Sequence, residues 1–295
     1  MATYTVGSGK DYSTIAAAVG AARADDTIII DPGTYEEHSI DLYYNGLTIK
    51  SADETTPFFG VIMDGLGSTS RDYGFNSYAS GVLYQHITFK NFEEGAVSMG
   101  SLSGRSLTMS GCLAYGCDGP VLAHLGFNAS LGAEIRNCMF IVDEGRAVNI
   151  VGDSKILMEN SVFAVNNNDE AVVMSSTTYY NVTASHCTFI GQGWNGSDGR
   201  HYHLVTTVAQ VDNCILYGGN GHGIQALDHH HNLVYLTNTD DPSRTVVPFP
   251  EWSTYGYDED ADDLGTGDVA DDPKFTTSPT QGSIAPGFLN VLNVA

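Results

Sequence analysis

One short phrase returns along the middle of this chain, and it restricts the possible fold more than any other feature. It reads Gln85-His86-Ile87-Thr88, Gly111-Cys112-Leu113-Ala114, Asn137-Cys138-Met139-Phe140, Asn160-Ser161-Val162-Phe163, His186-Cys187-Thr188-Phe189 and Asn213-Cys214-Ile215-Leu216, at steps of 26, 26, 23, 26 and 27 residues. Most of the phrases open on Gly, Asn or His, residues that tolerate the left-handed backbone of a tight corner between strands. Ahead of each corner, apolar residues alternate with polar ones: Leu107 and Met109, Ala133 and Ile135, Ile156 and Met158, Val182 and Ala184, Ala209 and Val211. That is a strand with one wet face. A further strand follows each corner after a short interval, at Ala96-Val97, Pro120-Val121, Ala147-Val148, Ala171-Val172, His203-Leu204-Val205 and Gly223-Ile224. Three strands per coil make a triangular solenoid, and coils ~4.8 Å apart align equivalent side chains into ladders. A Cys/Ser column and a column of Phe140, Phe163, Phe189 and Leu216 are expected inside.

The pattern resembles the pectin-lyase-like superfamily from residue 3 to about residue 235. Residues 11–35 (DYSTIAAAVGAARADDTIIIDPGTY) are similar to its usual entry of capping helix, first strand and Pro-Gly-Thr-Tyr turn. The resemblance implies an all-β fold, a right-handed single-stranded parallel β-helix of about eight coils, with an N-terminal capping helix and an irregular C-terminal tail. The helix is expected over about residues 13–24, with Ser13 as N-cap and Ile15, Val19 and Ala22 laid across the open end of the solenoid. Residues 1–235 form the β-helix. Residues 236–295 are Pro- and Asp-rich, leave the period, and are expected to pack along the rod or on a partner subunit.

Charge narrows the set of partners. Thirty-five acids stand against twelve bases, a net charge of −23, and the bases are scattered. Such a field repels phosphate backbones and anionic lipid, so neither nucleic acid nor a membrane is an expected partner, and polyuronates are disfavoured unless a metal bridges them. No 18-residue apolar run is present and the opening residues carry no basic head followed by an apolar stretch, so no transmembrane segment and no signal peptide are expected. Four of the five cysteines (Cys112, Cys138, Cys187, Cys214) hold equivalent repeat positions, as small core residues rather than a bridge framework.

The strand after the corner looks apolar on both faces. Phe89, Leu113, Tyr115, Met139, Ile141, Ile190, Ile215 and Tyr217 form an expected outer stripe that either the tail or neighbouring subunits of a homotrimer would cover.

No complete catalytic constellation is legible. Gly221-His222-Gly223 resembles the Gly-His-Gly of the polygalacturonases, but the Asn-Thr-Asp and paired Asp of that family are missing. Arg136 and Arg146 stand near Glu134, Asp143 and Glu144, as a solvated face also would. His201 and His203 alternate on a predicted strand, without an acid or cysteine at ligand spacing. Asp258, Asp260, Asp262 and Asp268 resemble the spaced oxygens of a Ca²⁺ loop, although the sixth position is Asp263 and the twelfth Val269. No cofactor is required by any of these. Loops predicted at residues 66–80 and 191–202 carry Arg71, Tyr73, Phe75, Tyr78, Trp194 and His201, aromatic and polar groups suited to a glycan or to a neighbouring subunit. Together these features point to a structural or recognition rod on a virion surface or outside the cell, a capsid decoration, turret or spike component in contact with other surface proteins. The alternative is a polysaccharide hydrolase or lyase on the same fold.

Overall fold

The computed structural model describes most of residues 1–235 together with Val269–Ala270. Outside the described residues lie 56–59, 67–71, 100–104, 125–128, 143–145, 151–153, 166–172, 176–180, 191–193, 196–200, 206–208, 218–223, 226–227, 231–232 and the single positions 120 and 203, besides the remaining tail. Three parallel sheets of ten, ten and eight strands wrap one core. One coil shows the plan: Val82–Gln85 lies in the first sheet, Ile87–Lys90 in the second and Gly95–Met99 in the third. Each strand pairs in parallel with its counterpart one coil away, as Leu107–Ser110 does with Val82–Gln85 on one side and with Ala133–Arg136 on the other. A right-handed parallel β-helix results, and among the described residues no helix is long and apolar enough to cross a membrane.

The corners explain the repeat. His86, Asn137, Asn160, His186 and Asn213 have φ between 47° and 55°, and Gly111 has φ 62°. Five of them donate the backbone N–H up the rod, His86 to Ser110, Gly111 to Arg136, Asn137 to Glu159, Asn160 to Ser185 and His186 to Asp212. The first phrase is therefore out of step by one residue, because His86, and not Gln85, is the counterpart of Gly111. In a strand a one-residue slip exchanges the two faces. Phe89 consequently pairs with Met63 and Ala114 in the inward column, fully buried, and is not part of an outer stripe.

Inside, Ala114, Phe140, Phe163 and Phe189 follow in register, with rings 5.6 Å apart and edge-on between Phe140 and Phe163, and 5.3 Å apart and stacked between Phe163 and Phe189. The neighbouring column is Cys112, Cys138, Ser161, Cys187 and Cys214, all free of disulfides and buried. Burial, ahead of its contact with Cys112, pushes the Cys138 thiol well above its ordinary pKa, and all five side chains pack as small buried groups. Tyr84 is also fully buried, 5.2 Å from Phe75, and its hydroxyl has no hydrogen-bond partner, since the nearby Ser77 hydroxyl turns to the carbonyl of Ala79. Removing a buried, unsatisfied hydroxyl returns its desolvation cost, so Tyr84→Phe is expected to stabilise the fold by about 1 kcal/mol in denaturant unfolding. A destabilisation would mean that the hydroxyl has a partner in solution.

The N-terminal end departs from expectation in three places. A strand precedes the helix, Thr3–Val6, and pairs with Thr27–Ile30 to begin the first sheet. Helix α1 spans only Ile15–Ala21, and its N-cap is Thr14, whose side chain accepts from the Ala17 N–H at 3.3 Å. Glu37 accepts from the other free N–H groups, Ile15 at 2.7 Å and Ala16 at 2.8 Å. With those donors satisfied from across the fold, Ser13 is not needed as a cap. The helix stops because Ala22 is extended and turns its methyl into the core. Gly33–Tyr35, expected as a turn, is a strand paired with Val61–Met63.

The outer stripe of the second sheet is apolar only from Leu113 onward, because its register partners one coil earlier are Thr88 and Lys90, the latter ion-paired with Asp64 at 3.2 Å. Leu113, Met139, Ile141 and Ile190 are buried within the single chain yet stand apart from the central core, while Tyr115 and Ile215 are half-buried. The side chain of Tyr217 lies outside the described residues. Val269–Ala270 pairs in parallel with Leu233–Val234.

Candidate functional site

The part of the rod that brings chemically useful side chains together is its N-terminal end, where α1 faces the third-sheet strand Ile40–Leu42. A groove of about 370 Å³ lies between them. Ala16, Val19 and Gly20 form the helix wall, and His38, Ser39, Asp41, Tyr43 and Tyr44 supply the polar and aromatic side. The volume is at the lower end of the range for small-ligand sites.

The turn Tyr43-Tyr44-Asn45-Gly46 positions the aromatics. The Asn45 carbonyl accepts from the Asp25 N–H and its side chain from the Ser80 N–H, both at 2.9 Å, while the Gly46 N–H donates to the Ser80 carbonyl at 2.9 Å. Gly46 has φ 72°, and a Cβ there would run into the Asp25 carboxylate, so only glycine fits. Because Leu42 pairs with Ser77 one coil on, Tyr43 and Tyr78 leave the sheet at the same height, and their rings stack at 5.3 Å and 9°. Arg105, from the next coil, continues this ladder with its guanidinium 5.5 Å from the Tyr78 ring centre and a hydrogen bond to the Ser77 carbonyl at 3.3 Å. Tyr78 is thus held between its neighbours. Tyr43 is 65% exposed and also lines the groove.

At the edge of that ring, the Tyr43 hydroxyl donates to Asp41 Oδ2 at 2.9 Å, and the Asn76 amide donates to Asp41 Oδ1 at 3.1 Å. The hydrogen bond to Asp41, more than burial, holds the Tyr43 phenol above its ordinary pKa. Next to Asp41, His38 Nδ1 lies 3.0 Å from Asp72 Oδ2. Tyr73, three residues before Asn76 in the same strand, is pushed up to about 12, first by burial and then by the charge and hydrogen bond of Glu94. Among the described residues no cluster of His, Cys, Asp or Glu is arranged to hold a metal ion.

The expected site residues separate accordingly. Tyr78 belongs to the stack and Tyr73 lies half-buried beside Glu94. Phe75 is a correction: residues 73–77 are not loop but a strand of the third sheet, and Phe75 points inward, fully buried against Tyr84 and Phe89. Its place follows from alternation with the outward Asn76, which leaves it no route to a ligand. Trp194–Asn195 and His201–Tyr202 form a two-stranded antiparallel hairpin in which Trp194 faces Tyr202 and Asn195 faces His201 in register. His203, the other member of the expected alternate-histidine pair, lies outside the described residues. Arg71, Asp258, Asp260, Asp262 and Asp268 lie outside the described residues. Arg136 pairs with Glu134 at 3.3 Å and Glu159 at 3.5 Å on a solvated face. Tyr43, Tyr44, Asp41, His38 and Arg105 were missed; the adjacent tyrosines before an Asn-Gly turn were the one legible signal.

Comparison with known proteins adds fold-level information. No protein-family model matches the chain, and no curated protein sequence matches it. Among solved structures, it is similar to a pectin methylesterase from Aspergillus niger, with TM-score 0.52 and 20% identity over 87% of this chain and 96% of that one. It is also similar to the pectate lyase Pel9A, with TM-score 0.50 and 13% identity over 97% of this chain and 93% of that one. Sequence repeat, sheet topology and these likenesses agree that the chain has the right-handed parallel β-helix fold.

Proposed function

We propose that this chain is a carbohydrate-recognition β-helix, seating a sugar residue of a polysaccharide in the groove between α1 and the strand Ile40–Leu42. The observation that carries it is Tyr43. Its ring is open on one face, fixed on the other by Tyr78, and bordered by a carboxylate and a histidine. A pre-positioned ring offers stacking area to the C–H face of a sugar at little entropic cost, while Asp41, His38 and Ser39 are placed to bond its hydroxyls. The fold neighbours named for action on pectin and pectate are consistent with a polysaccharide ligand. A rod of this kind suits display on a virion or cell surface.

The test is calorimetric titration of the full chain with a panel of neutral, amino and uronic oligosaccharides, repeated with Tyr43→Ala. Affinity should fall about tenfold, the size of one lost ring contact of ~1.4 kcal/mol, with the melting temperature unchanged. Binding that survives Tyr43→Ala, or no binding by the parent chain, would overturn the proposal.

A second reading, a carbohydrate-active enzyme, is favoured by His38, whose Nδ1 is held by Asp72 so that Nε2 remains to exchange a proton. It requires turnover of a polysaccharide or its esters that His38→Gln abolishes; binding without turnover leaves recognition alone.

A further inference from the structure

We propose that the groove selects an amine-bearing sugar, a deacetylated hexosamine whose ammonium sits over the open face of Tyr43 and against Asp41. This rests on the carbohydrate reading above and goes beyond it to ligand charge.

The tyrosines of this corner already show what their faces attract. Arg23 lies 5.1 Å from the centre of the Tyr44 ring, and Arg105 lies 5.5 Å from that of Tyr78. Tyr43 alone of the three has no guanidinium over it among the described residues, and it lines the groove. Aromatic faces attract cations through the negative face of the ring, and donation of the phenol to a carboxylate enriches that face further.

Asp41 completes the arrangement. Among the described residues its hydrogen-bond partners, the Tyr43 hydroxyl and the Asn76 amide, are neutral, so within them its charge is hydrogen-bonded but not balanced by a cation. Each carboxylate oxygen accepts one bond and has capacity for another. The nearby His38 is taken up by Asp72. A carboxylate beside an open aromatic face is a site for an ammonium group, and it is the wrong site for a uronate. The chain's net charge of −23 acts in the same sense, drawing cationic ligands in and repelling polyuronates. An N-acetylated sugar would keep the stacking and lose the charge.

The discriminating experiment titrates the full chain with a glucosamine tetrasaccharide, its N-acetylated counterpart, a galacturonate tetrasaccharide and an oligolysine peptide of equal charge. The expected result is a preference of roughly tenfold or more for the amino over the acetylated sugar, reduced by added salt. The preference should disappear at a pH where the amine is neutral and in Asp41→Asn, whose affinity for the amino sugar should fall to that for the acetylated one. Equal affinity for amino and acetylated sugars overturns the charge selection and leaves the carbohydrate reading intact. Oligolysine binding as tightly as the amino sugar overturns the assignment to a sugar. Absence of binding to every oligosaccharide removes both.

Discussion

Replacing Phe163 by alanine is expected to destabilise the rod by about 3–5 kcal/mol, the usual cost of truncating a buried aromatic ring. Phe163 is fully buried and touches rings on both sides, Phe140 edge-on and Phe189 face-on. In a solenoid each coil is supported only by its neighbours, so one lost ring weakens two coil-to-coil contacts at once. Denaturant unfolding followed by far-UV circular dichroism measures the shift. Phe163→Leu keeps most of the volume and should cost under about 2 kcal/mol, which separates the cavity from a general intolerance of substitution. A shift below ~1 kcal/mol for the alanine variant would mean that the ladder is not packed as described.

The second large effect is at Ser161, the one hydroxyl in the cysteine column. Its Oγ accepts from the Cys138 N–H at 3.0 Å and donates to the Glu159 carbonyl at 2.8 Å. The equivalent N–H groups of Cys112 and Cys187 donate to the sulfurs of Cys138 and Cys214, each at 3.4 Å. The backbone just after a left-handed corner thus relies on the side chain one coil up as its acceptor. Ser161→Ala removes that acceptor and leaves a buried N–H unpaired, which should cost about 1–3 kcal/mol. Ser161→Cys restores the pattern of the other rungs and should cost less than about 1 kcal/mol, since a thiol accepts more weakly but fits the column. Equal losses in the two variants would assign the effect to packing, and no loss in either would show that water reaches the corner.

Much of the rod was legible because its signals are local and repeated. The left-handed corners at Asn137, Asn160 and Asn213, the period-two strands before them and the Cys/Ser column all follow from residue type and spacing. Phe89 was misplaced for the same reason: a phrase lacking Gly, Asn or Cys at the usual positions can be aligned with either Gln85 or His86 at the corner, and one residue decides between core and surface. Helix α1 was legible by its apolar face, but its cap depended on Glu37, twenty-two residues beyond Ile15 and invisible to a local rule.

The candidate site was scarcely legible. Tyr43, Tyr78 and Arg105 are separated by intervals that match no motif, and only the register between successive coils brings them into one column. Asp41 gives no sign in the sequence that it will meet the Tyr43 hydroxyl and the Asn76 amide. By itself the sequence determined the solenoid, its corners and its interior ladders, because backbone conformation and alternation are properties of neighbouring residues. The tertiary structure alone decided which exposed side chains meet, since coil-to-coil register depends on the length of every intervening turn. It also decided that Leu113, Met139, Ile141 and Ile190 are buried, because burial depends on the surroundings of a strand as well as on the strand itself.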